Sequence, residues 1–294
     1  MPELPEVETM RRGIEPIVGR RVLQLRRPRT RLRSIAISPR LSDFRRRVEG
    51  ARIAATARVG KRVVVELRPG PNRPGEAARG GNGRGVDRIV FEPRMTGLVL
   101  LANPPDDEHV RLVFELSGRS RRKLLFWDRR GLGVVRLLSP RRFDEECGPA
   151  RIGPDALEIP AAVLCQRLAG NRRAVKVALL DQRAVAGIGN LYASEILHRV
   201  GIHPETRCCE LRPGDWPKLH AAMREVLLEA LRHQGSTLRD GTYRTAGNRP
   251  GGYQFCHRVY QRAGQPCLQC ERESIVRIVQ AQRSTFFCPR CQRR

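Results

Sequence analysis

Apolar residues at Leu4, Val7, Met10, Ile14 and Ile17 recur every three or four positions, which predicts an amphipathic helix from the amino end to about Val18. The period then changes. RRVLQLRR, ARIAATARV, KRVVVELR, DRIVFE, GLVLL, HVRLVFEL, KLLFWD and GVVRLL are short alternating or β-rich runs punctuated by Gly and Pro. They predict a β-sandwich or barrel over about residues 20–140, interrupted by one short helix at SDFRRRVEG. Between KRVVVELR and DRIVFE lies PGPNRPGEAARGGNGRGV, near residues 69–86. It is too rich in Gly, Pro and Arg to pack and reads as a disordered surface insertion. From about Asp155 the helical period returns in DALEIPAAVLCQRLAG, RAVKVALLDQ, NLYASEILHRVG and WPKLHAAMREVLLEALRHQ, with no strand run between them. This is a second, helical domain, with a boundary near residues 140–154.

The carboxyl end adds a metal site. Cys267-x2-Cys270 and, 17 residues on, Cys288-x2-Cys291 have the spacing of a tetrahedral zinc site. SIVRIVQAQRSTFF between the pairs reads as two short strands around a turn at AQR. Four thiolates leave no position for a substrate, so one Zn2+ would be structural, replacing a core that so short a segment lacks. The other five cysteines show no disulfide pattern, which points to a reducing compartment. No apolar run approaches the roughly 18 residues of a membrane span, and the acidic amino end does not resemble a signal peptide. The expectation is a cytoplasmic protein without a membrane partner.

Charge narrows the partner. A formal net charge of +26 is costly to a compact chain without a polyanion to offset it. Nucleic acid is the leading partner, through neutralised phosphates and released counterions; anionic membrane and RNA stay open on charge alone. Of the 56 basic residues only Lys61, Lys123, Lys176 and Lys218 are lysine. A position that stays lysine in so arginine-rich a chain is a candidate for work that needs a compact or deprotonatable ammonium. Against this background Glu3, Glu6 and Glu8 crowd the amino end behind Pro2. They are either the dipole-complementing start of a helix or part of an active site.

Three segments carry a resemblance. PELPEVETMRRG, LLDQRAVAGIGNLYASEILHRVGIHP and VYQRAGQPCLQC…AQRSTFFCPRC resemble, in order, the formamidopyrimidine-DNA glycosylase family. The resemblance implies an α+β, multidomain chain. Its parts are an N-terminal β-sandwich with flanking helices (1–145), a helix–two-turn–helix DNA-binding domain (155–245) and a C-terminal zinc-finger hairpin (253–294). It also implies a monomer that holds damaged double-stranded DNA in a cleft.

The resemblance assigns roles residue by residue. Pro2, exposed by removal of Met1, would be the nucleophile, Glu3 would handle protons at the opening sugar, and Glu6 would support the base site. A free α-amino group titrates near 7.7–8.0, so part of it is neutral at cellular pH. Lys61 matches a strand lysine that contacts phosphate and assists elimination. Lys176, Asn190 and Arg283 match phosphate- or base-contacting positions; Asn190 also suits a helix N-cap. Met95 and Arg130 match residues that fill the space left by a flipped nucleotide, and Leu132 stands where the family usually has Phe. Glu92 stands where the family often has His, and a carboxylate there would repel phosphate. The polar segment from Ser236 to Tyr253 matches a flexible loop over the flipped base.

The implied activity is excision of oxidised purines such as 8-oxoguanine and formamidopyrimidines, followed by strand nicking. Three alternatives stay open: an endonuclease VIII-like enzyme for oxidised pyrimidines, a catalytically silent damaged-DNA-binding protein, and a basic zinc-ribbon RNA-binding protein.

Overall fold

The computed structural model describes residues 1–70, 86–120, 123–238 and 240–293; the Gly/Pro/Arg-rich insertion lies, but for its edges, outside them. The chain divides into two compact units. One comprises Met1–Pro2, Glu6–Gly148 and Ser236–Gly251, the other Glu3–Pro5, Pro149–Gly235 and Gly252–Arg294.

The first helix, α1 (Leu4–Ile14), is followed by a 3-10 turn at Glu15–Ile17. All five apolar residues that predicted this segment are fully buried. Among the described residues nine strands follow: β1 (Val22–Arg26), β2 (Ala36–Ser38), β3 (Arg52–Val59), β4 (Arg62–Arg68), β5 (Asp87–Glu92), β6 (Gly97–Leu100), β7 (Val110–Leu116), β8 (Lys123–Asp128) and β9 (Val134–Leu138). They form two sheets, ordered β1-β7-β8-β6 and β2-β9-β5-β4-β3. All pairings are antiparallel except β2 with β9. Phe91 of the second sheet meets Phe114 and Phe126 of the first at ring-centroid distances of 5.9 and 5.7 Å, so the sheets share one core. Val64 and Val90 point away from that core yet are fully buried. Burial on both faces explains why these central strands read as unbroken apolar runs.

Two elements of this unit escaped the sequence pattern. Strand β2 has two exposed residues around a half-buried Ile37 and pairs with a strand almost a hundred positions later. Helix α3 (Pro140–Cys147) carries a start signal, Ser139 accepting the Arg142 N–H with Pro140 in the first turn, but few apolar residues. Helix α2 (Leu41–Val48) lies where SDFRRRVEG predicted it and buries Phe44 and Val48.

The polar segment after Ser236 is not the loose loop its composition suggested. Tyr243 and Ala246 are buried in the sheet core, and Leu101 N–H donates to Ala246 O at 2.9 Å. Two well-spaced small or aromatic anchors outweigh the polar majority around them.

The second unit holds α4 (Ala161–Leu168), α5 (Val175–Leu179), α6 (Asn190–Val200) and α7 (Asp215–Arg232), then the hairpin β10 (Val276–Gln280) and β11 (Arg283–Phe287). Leu219, Ala222, Met223, Val226, Leu227 and Ala230 mark the buried stripe of α7 at helical spacing. Pairing of Gln280 with Arg283 leaves a two-residue turn, Ala281–Gln282, both at positive φ. The architecture is the α+β arrangement expected from the sequence. Among the described residues no helix is long and apolar enough to cross a membrane.

Candidate nucleic-acid site

The three amino-terminal carboxylates do three different things. Glu3 is buried, and its Oε1 accepts the Leu191 N–H at 2.9 Å while Oε2 accepts the Tyr192 N–H at 3.4 Å. These are orphan donors of the first turn of α6, where the helix dipole favours an anion. The preceding Gly189 makes no side-chain cap, and a Cβ on it would lie 2.3 Å from Glu3 Cδ, so only glycine admits the carboxylate. Asn190 is therefore the first helical residue and not the N-cap. Glu6 accepts the Ser236 N–H at 2.8 Å, fixing the start of the 236–251 segment. Glu8 faces Arg11, Arg12 and Arg58. Burial alone would raise its pKa, but those guanidinium groups hold it below the usual carboxylate range.

Around the start of α6 the helical unit gathers residues far apart in sequence. Lys176 is fully buried, contrary to the habit of an ordinary surface lysine. Its Nζ donates to Asn190 Oδ1 and, at 2.8 Å, to Thr285 Oγ1. Asn190 Nδ2 donates to Ser284 O at 2.8 Å, so the amide is held on both sides. Burial, with help from Arg283, lowers the Lys176 pKa to about 8, and Glu3 pulls the other way. Arg283 is exposed at the start of β11, on the tight turn Ala281–Gln282. Glu3, Lys176, Asn190 and Arg283 thus form one connected neighbourhood at a helix N-terminus.

The β-sandwich unit carries the remaining residues. Pro2 is buried and Met1 exposed. Lys61 is half-buried in the two-residue turn Gly60–Lys61 that joins β3 to β4, one residue outside the strand expected for it. Met95 projects, 42 % exposed, from the turn between β5 and β6. Arg130 is exposed and Leu132 half-buried in the loop between β8 and β9. Glu92 is not the repelling carboxylate the sequence suggested: Arg62, Arg94 and Arg136 all pair with it. Although burial opposes ionisation, Arg62 and Arg136 keep its pKa low, and the cluster as a whole is cationic.

The Sγ atoms of Cys267, Cys270, Cys288 and Cys291 lie within 4.8 Å of one another. Cys267–Cys291 is 3.8 Å and Cys270–Cys288 is 3.7 Å. A regular tetrahedron with 2.3 Å metal–sulfur bonds has edges of about 3.8 Å, so this donor set fits zinc. Backbone N–H groups of Arg272 and Glu273 help lower the Cys270 pKa to about 6, toward the thiolate that a metal requires.

Comparison with known proteins is consistent along the whole chain. Residues 1–135 match the formamidopyrimidine-DNA glycosylase N-terminal domain, 152–242 match that family's H2TH domain, and 264–294 match the zinc finger found in FPG and IleRS. The chain belongs to the formamidopyrimidine-DNA glycosylase family. It is 38 % identical to the formamidopyrimidine-DNA glycosylase of Chloroflexus aurantiacus, over 99 % of this chain and 98 % of that one. Against the Solibacter usitatus enzyme identity is 36 % over both full lengths. Among solved structures, the MutM (Fpg) protein of Thermus thermophilus superposes with a TM-score of 0.79 at 35 % identity, covering 99 % of this chain and 98 % of that one. The Lactococcus lactis Fpg in complex with abasic-site DNA gives 0.81 at 28 %, covering 99 % and 100 %.

Several groups at the site of this family member were invisible in sequence. Thr285 completes the Lys176 pocket. Glu195, fully buried in α6, accepts the backbone N–H groups of Arg258, Val259 and Tyr260 at 2.8–3.0 Å and so fixes the approach to the zinc hairpin. His198 Nε2 lies 3.5 Å from Cys267 Sγ. A carboxylate and an imidazole on a helix full of apolar residues read as its solvent face; no periodicity signals that the face is covered.

Proposed function

We propose that this member of the family, a DNA glycosylase for damaged bases, excises oxidised purines from duplex DNA and then nicks the strand through a covalent intermediate on Pro2. Removal of Met1 frees the Pro2 secondary amine, part of which is neutral near pH 7.5. Its lone pair attacks the sugar C1′ as the C1′–N bond to the base breaks, and the opened sugar becomes an iminium on the proline nitrogen. Glu3 takes and returns protons at the sugar. Lys61 assists loss of the 3′ phosphate by β-elimination, and loss of the 5′ phosphate follows by δ-elimination. Water then releases the enzyme.

The observation that carries this reading is the environment of Glu3. Its carboxylate is covalently one residue from the nucleophile and is fixed by two N–H donors of a helix start. That geometry holds the carboxyl group in one place, as a general acid–base group requires. Lys176, Asn190 and Arg283 supply cation and amide donors for the phosphates beside the lesion. Met95, Arg130 and Leu132 fill the space that the extruded nucleotide leaves. Bound zinc would hold the β10–β11 hairpin, and with it Arg283, in shape. The chain acts as a monomer in the cytoplasm.

Borohydride trapping on a duplex with one abasic site, with peptide mapping of the adduct, tests the chemistry apart from lesion choice. An adduct on Pro2 is expected. An adduct on a lysine, or none from protein shown to lack Met1 and to hold zinc, overturns the mechanism. Parallel rates on 8-oxoguanine and on an oxidised pyrimidine decide between the two substrate classes.

A further inference from the structure

Asp128, at the end of β8, is fully buried. Its carboxylate serves three donors. Thr96 Oγ1 donates to Oδ1; the Arg130 N–H is shared between Thr96 Oγ1 at 3.0 Å and Asp128 Oδ1 at 3.3 Å; the Gly133 N–H donates to Oδ2 at 2.7 Å. The backbone of Asp128 is fixed as well, since buried Arg111 donates through Nε to its carbonyl at 2.8 Å and Gly97 pairs with it across β6. A Cβ on Gly133 would lie 2.6 Å from the Phe126 ring and 3.0 Å from Asp128 Oδ2, so the loop backbone can only come this close at glycine.

The identity of the donors matters more than their number. Thr96 directly follows Met95, Arg130 is itself held by its N–H, and Gly133 directly follows Leu132. We infer that Asp128, with Thr96 as its relay, is the positioning residue that locks the Met95 turn and the Arg130–Leu132 loop into one rigid unit for entry into the duplex. This rests on the proposal that those three residues fill the space left by the flipped nucleotide. Two separate loops entering the helix would each lose conformational freedom on binding, whereas a pre-joined pair has already lost it. One buried carboxylate reaching both loops is a compact way to do so, because a buried anion is stable only while every donor stays in place.

The test compares single-turnover excision of a damaged base from duplex DNA with cleavage of an abasic site in single-stranded DNA, which has no opposite strand and no hole to fill. Thr96→Val keeps the volume and removes the hydroxyl; Thr96→Ser restores it. The ratio of the two rates is expected to fall about tenfold in Thr96→Val, the usual scale for one buried hydrogen bond, and to return in Thr96→Ser. Asp128→Asn, which turns one acceptor into a donor facing N–H groups, should lower the ratio at least as far, with folding checked by circular dichroism. Equal loss of both rates, or no rescue by serine, marks a merely structural contact and overturns the inference. Met95→Ala is the control for the underlying reading. If it lowers the ratio and Thr96→Val does not, the lock alone is wrong; if neither does, the hole-filling role is wrong and the lock falls with it.

Discussion

Lys176 offers a prediction whose size follows from its surroundings. Its ammonium is buried, faces the neutral acceptors Asn190 and Thr285, and feels Arg283 and Glu3 from opposite signs; the outcome is a pKa of about 8. The group is a base with a depressed folded-state pKa. Without DNA the unfolded chain binds the proton more tightly, so the cost to stability is fully present below pH 8. It is relieved as pH rises from about 8 toward the ordinary lysine value near 10.4. A DNA phosphate at this site reverses the balance by favouring the ammonium. If the bound pKa returns to about 10.4, binding above pH 8 takes up a proton, and affinity falls about tenfold per pH unit. Between pH 7 and pH 9 the dissociation constant should rise about tenfold. Fluorescence anisotropy with a non-cleavable abasic analogue, at constant ionic strength, reads this directly. A Pro2 amine freed by removal of Met1 would titrate in the same range, so the informative quantity is the difference between wild type and Lys176→Met, which share Pro2. The variant should bind weakly at both pH values and lack the extra tenfold. Identical pH slopes in the two proteins would refute the argument that Lys176 is a phosphate contact held near its titration point.

Two further outcomes follow from the same unit. Glu3→Gln keeps one acceptor, for the short bond from the Leu191 N–H, replaces the oxygen facing the more distant Tyr192 N–H by an NH2, and cannot exchange protons. Single-turnover excision should therefore drop by about 10²-fold or more while DNA affinity stays within about twofold; a rate within about fivefold of wild type removes Glu3 from the chemistry. Stripping the metal with a chelator, monitored by loss of the thiolate-to-metal bands of a cobalt-substituted sample, should abolish tight DNA binding and leave the β-sandwich transition in thermal scans; unchanged affinity in verified metal-free protein refutes a role for the hairpin in holding Arg283.

What the sequence disclosed depended on whether the information was periodic. The α1 stripe, the central strands and α7 were legible because burial on one face imposes a spacing, and the paired cysteines because a tetrahedral site imposes another. Strand β2 was silent: three residues held by a partner nearly a hundred positions away leave no local trace. The Ser236–Gly251 segment misled in the other direction, since Gly, Thr, Asn and Arg dominate its composition while Tyr243 and Ala246 decide its packing. At the site, the sequence shows Glu92 as a carboxylate that would repel phosphate, because two of its arginine partners, Arg62 and Arg136, lie 30 and 44 residues away along the chain. The same blindness hid Asp128, whose three donors lie in two loops.

Helix α6 shows how the buried polar groups combine. At about 100° per residue, positions 195 and 198 fall roughly 140° and 80° round the helix from 190, so three polar side chains share one arc. On a surface helix that arc would face water. Here Glu195 and His198 are buried. Asn190 holds β11 through Ser284, Glu195 holds residues 258–260, and His198 meets the sulfur of Cys267. Add the N–H groups of Leu191 and Tyr192 on Glu3, and one helix ties together the carboxylate next to Pro2, the hairpin that carries Arg283 and a cysteine of the four-cysteine cluster. Each tie costs the desolvation of a polar group and is repaid only if every partner is in place, so the arrangement is intolerant of small shifts. That intolerance is the physical reason a metal bound by the four cysteines would matter beyond its own hairpin: it would fix the strand whose first residues complete the Lys176 and Asn190 hydrogen bonds.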